Sequence, residues 1–106
     1  MSRRDGRVPV LTVVNNFATT NVDGTTWVQI SAATGADVVR LSYLLPGTVG
    51  VYLGYGSSGN EQILCALLPG APVEEAVLIP KGVRLVLKAV TATTISTGVL
   101  VLNLYN

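Results

Sequence analysis

The sequence predicts an all-β fold, an eight-stranded antiparallel β-sandwich of jelly-roll type that forms oligomers. Apolar runs of about five to eight residues, rich in Val, Ile, Leu and Thr, recur between turn-forming segments, which is typical of strands. No stretch combines a 3.6-residue apolar spacing with helix-capping residues. Eight such runs at intervals of about 8–12 residues favour a sandwich or barrel, and the jelly roll is the usual eight-stranded double sheet.

The first four predicted strands are separated by residues that favour turns. A Val-Asp-Gly turn at 22–24 precedes the second strand, and a Pro-Gly pair at 46–47 separates the third from the fourth. The Gly-rich segment 56–60 then forms a flexible hairpin loop. These predicted strands are Val8–Val14, Trp27–Ser31, Val38–Leu44 and Val49–Tyr55.

Proline and glycine also separate the last four predicted strands. The segment Pro-Gly-Ala-Pro at 69–72 cannot continue a strand, and Pro-Lys-Gly at 80–82 has the spacing of a turn. These predicted strands are Gln62–Leu68, Glu75–Ile79, Val83–Val90 and Gly98–Tyr105.

Alternation within the strands predicts which side chains face the core. In the seventh strand Arg84 and Lys88 share one face and apolar side chains share the other, as in a half-buried strand. The segment 99–105 is instead apolar on both faces, and so are 63–68 and much of 8–14. One face of each strand can fill the core, and the other needs a cover. A neighbouring subunit is the simplest cover, and loops of the same chain are the alternative.

The low charge of the chain favours the neighbouring subunit. Only 12% of the 106 residues are charged, whereas a typical soluble domain is roughly a quarter charged. A short chain leaves much of its area outside, so charged side chains are too few to cover it. The predicted subunit interface therefore consists of side chains of the last strand, namely Val99, Val101, Asn103 and Tyr105.

Residues 1–7 are predicted to be a flexible arm that precedes a single domain of residues 8–106. The arm holds the only basic cluster, Arg3, Arg4 and Arg7, which Asp5 interrupts. A disordered tail is the simple interpretation. The sharper hypothesis is an arm that reaches across a neighbouring subunit or onto an acidic surface, because arginine binds carboxylates in a bidentate manner.

The net charge, the apolar stretches and the cysteine count limit the cellular compartment and the partners that are expected. A net charge of +1 gives no field that would attract nucleic acid or an anionic membrane. Neither a signal peptide nor a membrane-spanning helix is expected, because the start is polar and the apolar stretches are broken by Pro and Gly. Cys65 is the only cysteine and has no internal disulfide partner. Synthesis in a cytoplasm fits best.

The sequence shows no constellation for catalysis or metal binding. It lacks His, and the adjacent Glu74 and Glu75 point to opposite faces of a strand. Cys65 lies in an apolar run and is interpreted as a small buried hydrophobe. The Gly-rich segment 54–59 superficially matches a phosphate-binding loop, but a strand follows it where such a loop needs a helix. We therefore predict no enzyme, no cofactor and no metal ion.

Two aromatic side chains offer an alternative function. Alternation places Trp27 and Tyr52 on the side of their strands that points away from the core. There they would form a platform for a sugar ring, as in a carbohydrate-binding module, or for a nucleobase. Packing or anchoring an interface is the more common use of aromatic residues on a sandwich.

Three segments of the chain carry a family resemblance. They are the Gly-rich segment 50–61, the segment 77–85 with its Ile-Pro-Lys-Gly turn, and the two-faced strand segment 95–102. Together they resemble the small jelly-roll structural proteins of tailed-bacteriophage virions, which include capsid decoration (cement) proteins and related head-fibre and tail domains. The similarity covers about residues 49–105 and rests on a pattern of turns.

The resemblance implies a function in the virion. It implies a homo-oligomer, commonly a trimer, that is made in the host cytoplasm and sits on the capsid surface where major capsid subunits meet. There it would stabilise the shell by mass action, because a ligand that binds only the assembled state favours that state. The arm residues Arg3, Arg4 and Arg7 are the expected capsid contacts. A tail or head-fibre component of the virion is the related alternative.

Overall fold

The eight predicted strands are present in the computed structural model, which describes residues 7–106. Within that range the chain forms strands and turns and no helix, so the predicted all-β class is confirmed. The strands are β1 (Pro9–Asn16), β2 (Val28–Ser31), β3 (Val38–Leu44), β4 (Val51–Tyr55), β5 (Gln62–Leu67), β6 (Val73–Leu78), β7 (Leu85–Ala89) and β8 (Val99–Tyr105).

The strands form two four-stranded antiparallel sheets with the connectivity of a jelly roll. One sheet has the order β1-β8-β3-β6 and the other has the order β2-β7-β4-β5. Only β4 and β5 are joined as a hairpin within one sheet, and every other connection passes from one sheet to the other. This order of strands is the double Greek key that defines the jelly roll.

The core lies between the two sheets and confirms the predicted alternation. In β8, Leu100, Leu102 and Leu104 are buried, while the residues between them are at most partly covered. Leu85 and Leu87 of β7 meet them from the other sheet, and Lys88 points away from the core. A sandwich needs this pattern because successive side chains of a strand point to opposite faces.

Seven of the eight predicted strands differ from the observed ones by one or two residues at one end or both, and two of these differences have a structural reason. The first strand continues to Asn16, beyond its predicted end at Val14, because Asn15 and Asn16 pair with β8 and Asn15 is buried between the sheets. The sixth strand spans Val73–Leu78, whereas the prediction was Glu75–Ile79. Ile79 is buried just after the strand, and its backbone NH donates to the carbonyl of Asp37.

Candidate interaction surfaces

One outer face of the sandwich carries most of the exposed apolar side chains of the first sheet. This β8 face consists of the outward-pointing side chains of 12–16, 38–44, 74–78 and 99–105. Val14 and Leu78 are 63% and 73% exposed on it, and Leu44 and Val99 are both 41% exposed. Residues 7–106 therefore leave exposed apolar side chains grouped on this face, and such patches often mark binding sites.

The four predicted interface residues all lie on the β8 face. Val99, Val101, Asn103 and Tyr105 alternate with the buried leucines of β8, and each is partly or fully exposed. The hydroxyl of Thr12 donates to Oδ1 of Asn103 at 2.8 Å, which links β1 to β8 across the surface. Their use as a subunit interface stays a prediction, but their shared position is what such an interface requires.

The predicted capsid contacts divide between described and undescribed residues. Arg3 and Arg4 lie outside the described range. The guanidinium of Arg7 donates to Oδ1 of Asp37 at 2.6 Å, with both side chains about one-third exposed. Beside this ion pair the backbones of Val8 and Asn106 exchange two hydrogen bonds of 2.8 Å. Arg7 is thus held against the sandwich at the corner where β8 ends.

Trp27 and Tyr52 lie together on the outer face of the second sheet, where alternation placed them. This Trp27 face also holds Lys88, which sits opposite Tyr52 in the β4–β7 ladder. The Lys88 ammonium stands 4.8 Å from the centre of the Trp27 ring, a cation–π contact. Both aromatic side chains are half-buried.

Gly54 explains why the indole can lie so close to the second sheet. A Cβ added at Gly54 would come within 2.9 Å of two indole carbons, Cζ3 and Cη2, and within 2.7 Å of the carbonyl oxygen of Gln62. Val86, the neighbour of Gly54 in β7, is completely buried although the alternation of β7 points it outward. Trp27 therefore packs against the outer face of the second sheet at Gly54.

An ion pair that the sequence did not predict fixes the β4–β5 hairpin. Nε of Arg84 donates to the carbonyl of Gly56 at 2.6 Å, and a terminal nitrogen donates to Glu61 at 2.6 Å. The other oxygen of Glu61 accepts the backbone NH of Gly59 at 3.1 Å. Gly56 adopts φ of +120°, a conformation that favours glycine. The Gly-rich segment is a hairpin loop, as predicted, and Arg84 holds it to β7.

Asp23 organises a bend at 24–26, slightly later than the turn predicted at 22–24, since Val22 is buried and pairs with Ile95. Its Oδ1 accepts the backbone NH groups of Thr25 and Thr26, both at 3.0 Å, and the hydroxyl of Thr25 at 3.1 Å. These hydrogen bonds, with the NH of Thr25 first, lower the pKa of the Asp23 carboxyl because they favour its charged form. The carboxylate therefore serves the turn itself.

Cys65 is half-buried in a mostly apolar environment, so it is less buried than the sequence predicted. It lies in β5 opposite Leu53, packs partly against the core, and forms no disulfide. Burial, with a smaller effect of Glu75, raises the pKa of the thiol from 9.0 to about 11. Among residues 7–106, no three metal-binding side chains come together.

We expect Cys65 to react slowly with thiol reagents. A pKa of about 11 in place of 9.0 lowers the thiolate fraction at pH 8 by about a hundredfold. The rate of reaction with Ellman's reagent at pH 8 should therefore rise by a comparable factor when urea unfolds the chain. Equal rates in the folded and unfolded protein would show that the thiol is neither shielded nor shifted.

The comparisons with known proteins do not indicate a function for this chain. No family model and no curated protein matches this chain. Across residues 7–106, no helix is long and apolar enough to cross a membrane. The β8 face and the Trp27 face are thus the features from which a function can be inferred.

Proposed function

We propose that this chain is a structural protein of a tailed-phage virion, a capsid decoration protein that binds the assembled head as an oligomer. The uncovered apolar β8 face carries this proposal. A chain with so few charged residues and an exposed apolar sheet gains stability when a second surface removes that sheet from water. Self-association supplies that second surface in every copy.

The jelly-roll scaffold is consistent with this role. It is the fold that the resemblance implies for phage decoration proteins, although a fold of this kind serves many functions. On a shell, an oligomer repeats each weak contact with the capsid, and such avidity raises the overall affinity without any new contact. Arg3, Arg4 and Arg7 are the proposed capsid contacts, and the major capsid protein is the proposed partner.

Substituting Val99 with aspartate tests the proposal. Val99 lies on the β8 face and is 41% exposed, so a carboxylate there should leave the monomer folded. In an apolar interface the same carboxylate loses water without gaining a partner, and we expect self-association to weaken by at least about tenfold. Light scattering over a dilution series measures that change, and co-sedimentation with empty heads of the encoding phage measures capsid binding.

The matched control is Ala66→Asp. Ala66 is exposed on β5, opposite Tyr52 on the Trp27 face, so the added carboxylate lies on the other sheet. The control should keep the mass and the capsid binding of the original chain. A Val99→Asp variant with unchanged mass would refute the role of the β8 face, and failure of the original chain to sediment with heads would refute the decoration function.

Two alternative functions use the same fold. A tail or head-fibre component would self-associate in the same way and bind a different part of the virion. A carbohydrate-binding module would use the Trp27 face, on which Trp27 and Tyr52 lie side by side with Lys88. That module predicts that Trp27→Ala abolishes retention on immobilised glycans and leaves the oligomer mass unchanged.

A further inference from the structure

The β8 face has a regular composition when its side chains are taken in rows across the strands. The ladders that join β1, β8, β3 and β6 align the outward side chains in four rows. In order along the strands, the rows are Asn16-Val99-Leu44, Val14-Val101-Ser42-Glu74, Thr12-Asn103-Arg40-Ala76 and Tyr105-Val38-Leu78.

The outer rows of the β8 face are apolar on the central strands, and the inner rows hold its charges. Val99 and Leu44 occupy the first row, and Tyr105 and Val38 occupy the same two strands in the fourth. The only ionisable carboxylate and guanidinium in these four rows belong to Glu74 in the second row and Arg40 in the third. The face is therefore close to symmetric about a line between its second and third rows.

A two-fold axis along that line makes the face complementary to a second copy of itself. The axis lies in the plane of the face, perpendicular to the strands, and exchanges the first row with the fourth and the second with the third. Val99 then meets Tyr105 of the second copy, and Leu44 meets Val38 of the second copy. Each of these contacts occurs twice, as in every isologous interface.

The same axis brings opposite charges together. It sets Arg40 over Ser42 of the second copy, which is the cross-strand neighbour of Glu74. Because adjacent strands lie about 4.8 Å apart, the long Arg40 side chain can reach Glu74 of the second copy. The interface would thus hold two Arg40–Glu74 ion pairs, while Arg7, which lines a groove with Arg40 and Tyr105, already pairs with Asp37.

We propose that the β8 face binds a second copy of this chain about a two-fold axis, with Arg40 of each copy paired to Glu74 of the other. This inference rests on the self-association in the proposed function and specifies its geometry. The two-fold contact gives a dimer, whereas the family resemblance implies a trimer. A ring of three copies would need a contact between two different surfaces of the chain.

The size of the face predicts a dimer that dissociates on dilution. Four strands about 4.8 Å apart, with about seven residues of 3.4 Å each, give a projected area of roughly 450 Å². A standard specific interface buries about 800 Å² on each partner. The accessible area of the face is larger than this projection but does not make the contact an extensive one, so we expect the measured mass of the protein to fall on dilution.

Charge reversal of the two residues tests the pairing. Arg40→Glu or Glu74→Arg alone sets like charges against each other twice in the dimer, and we expect either variant to raise the dissociation constant roughly tenfold or more. A mixed dimer, with one copy of each variant, again sets a carboxylate against a guanidinium at both contacts. Dimers should therefore re-form in an equimolar mixture. Light scattering and sedimentation velocity of the full chain report both effects.

Rescue by mixing distinguishes charge repulsion between two copies from charge repulsion within one copy. Arg40 and Glu74 are diagonal neighbours on one face, so each single variant also carries like charges within itself, and mixing does not remove that repulsion. Glu75→Arg is the matched control, since Glu75 is the next residue of β6 and points to the other side of the sheet. It should leave the dissociation constant unchanged.

The outcomes separate this inference from the proposed function. A mass of two chains, lost in both variants and restored in their mixture, supports the two-fold contact. A mass of three chains, a monomer at every concentration, or a mixture without rescue overturns it. Failure of the original chain to bind phage heads overturns the decoration function and leaves the two-fold contact standing.

Discussion

Leu102→Ala should lower the free energy of unfolding by about 3 kcal/mol, because it removes a fully buried side chain and leaves a cavity behind. Leu102 is 1% exposed and lies in β8, which pairs with β1 on one side and β3 on the other. Strands held on both sides relax little around a missing side chain. The effect should therefore lie in the middle of the range measured for buried leucines.

Val101→Ala is the matched control for this prediction. Val101 precedes Leu102 in β8 and points to the outer face, where it is only partly covered. Its truncation should cost less than about 1 kcal/mol in the monomer. Urea unfolding followed by circular dichroism, at a concentration below that of self-association, gives both values. Equal losses for the two variants would mean that β8 does not present Leu102 to the core and Val101 to the outer face.

The contrast between these two residues also shows how the sequence predicted the fold. Alternation in 99–105 identified the two faces of β8, and turn residues marked the intervals between strands. The exposure of Val99 on one side and the burial of Leu100 on the other confirm that inference. The signal was strong because a one-residue shift of register would exchange the two faces completely.

The prediction was less accurate where apolar residues do not mark a strand. Asn15 and Asn16 favour turns, so the predicted first strand ended at Val14, yet both residues pair with β8. The edge strand β6 begins at Val73 and contains Glu74 and Glu75, whereas the predicted strand began later. An edge strand needs little burial to form, and charges on it discourage pairing with foreign strands, so its apolar signal is weak.

The composition of the β8 face could be derived only once the order of the strands in the sheet was known. Alternation could identify outward residues within one strand, such as those of β8, but nothing in the sequence aligned them with Leu44, Leu78 or Val14. Those residues meet because the jelly roll inserts β8 between β1 and β3, strands that are far apart in the chain. A pattern of period two within one strand cannot report which strand lies beside it.

The ion pair of Arg84 was missed for the same reason. Its partner Glu61 lies 23 residues away in the sequence, and alternation showed only that Arg84 points away from the core. The side chains are 20% and 10% exposed, respectively, and lie beside the backbone of the β4–β5 hairpin. Charged groups this well covered are stable only when they are paired and hydrogen-bonded.

Arg84→Met should consequently destabilise the fold by about 2–3 kcal/mol. Methionine keeps most of the aliphatic length of arginine, so the loss reports the charge and its hydrogen bonds. Without the guanidinium, the carboxylate of Glu61 stays covered with only the NH of Gly59 as a donor, and the carbonyl of Gly56 loses the side-chain donor. Hydrogen exchange at 56–61 should accelerate, because the hairpin is no longer held to β7.

Two further variants distinguish the effect of losing the Arg84–Glu61 ion pair from the effect of removing a positive charge at the surface. Lys88→Met removes a charge from the same outer face of the second sheet, where the ammonium makes a cation–π contact with the Trp27 ring, and should cost less than about 1 kcal/mol. Adding Glu61→Gln to Arg84→Met removes the uncompensated charge and should recover part of the lost stability. If Arg84→Met matched Lys88→Met, the pair would contribute no more than an exposed salt bridge. A recovery on adding Glu61→Gln would instead show that the hairpin depends on a covered charge having its partner.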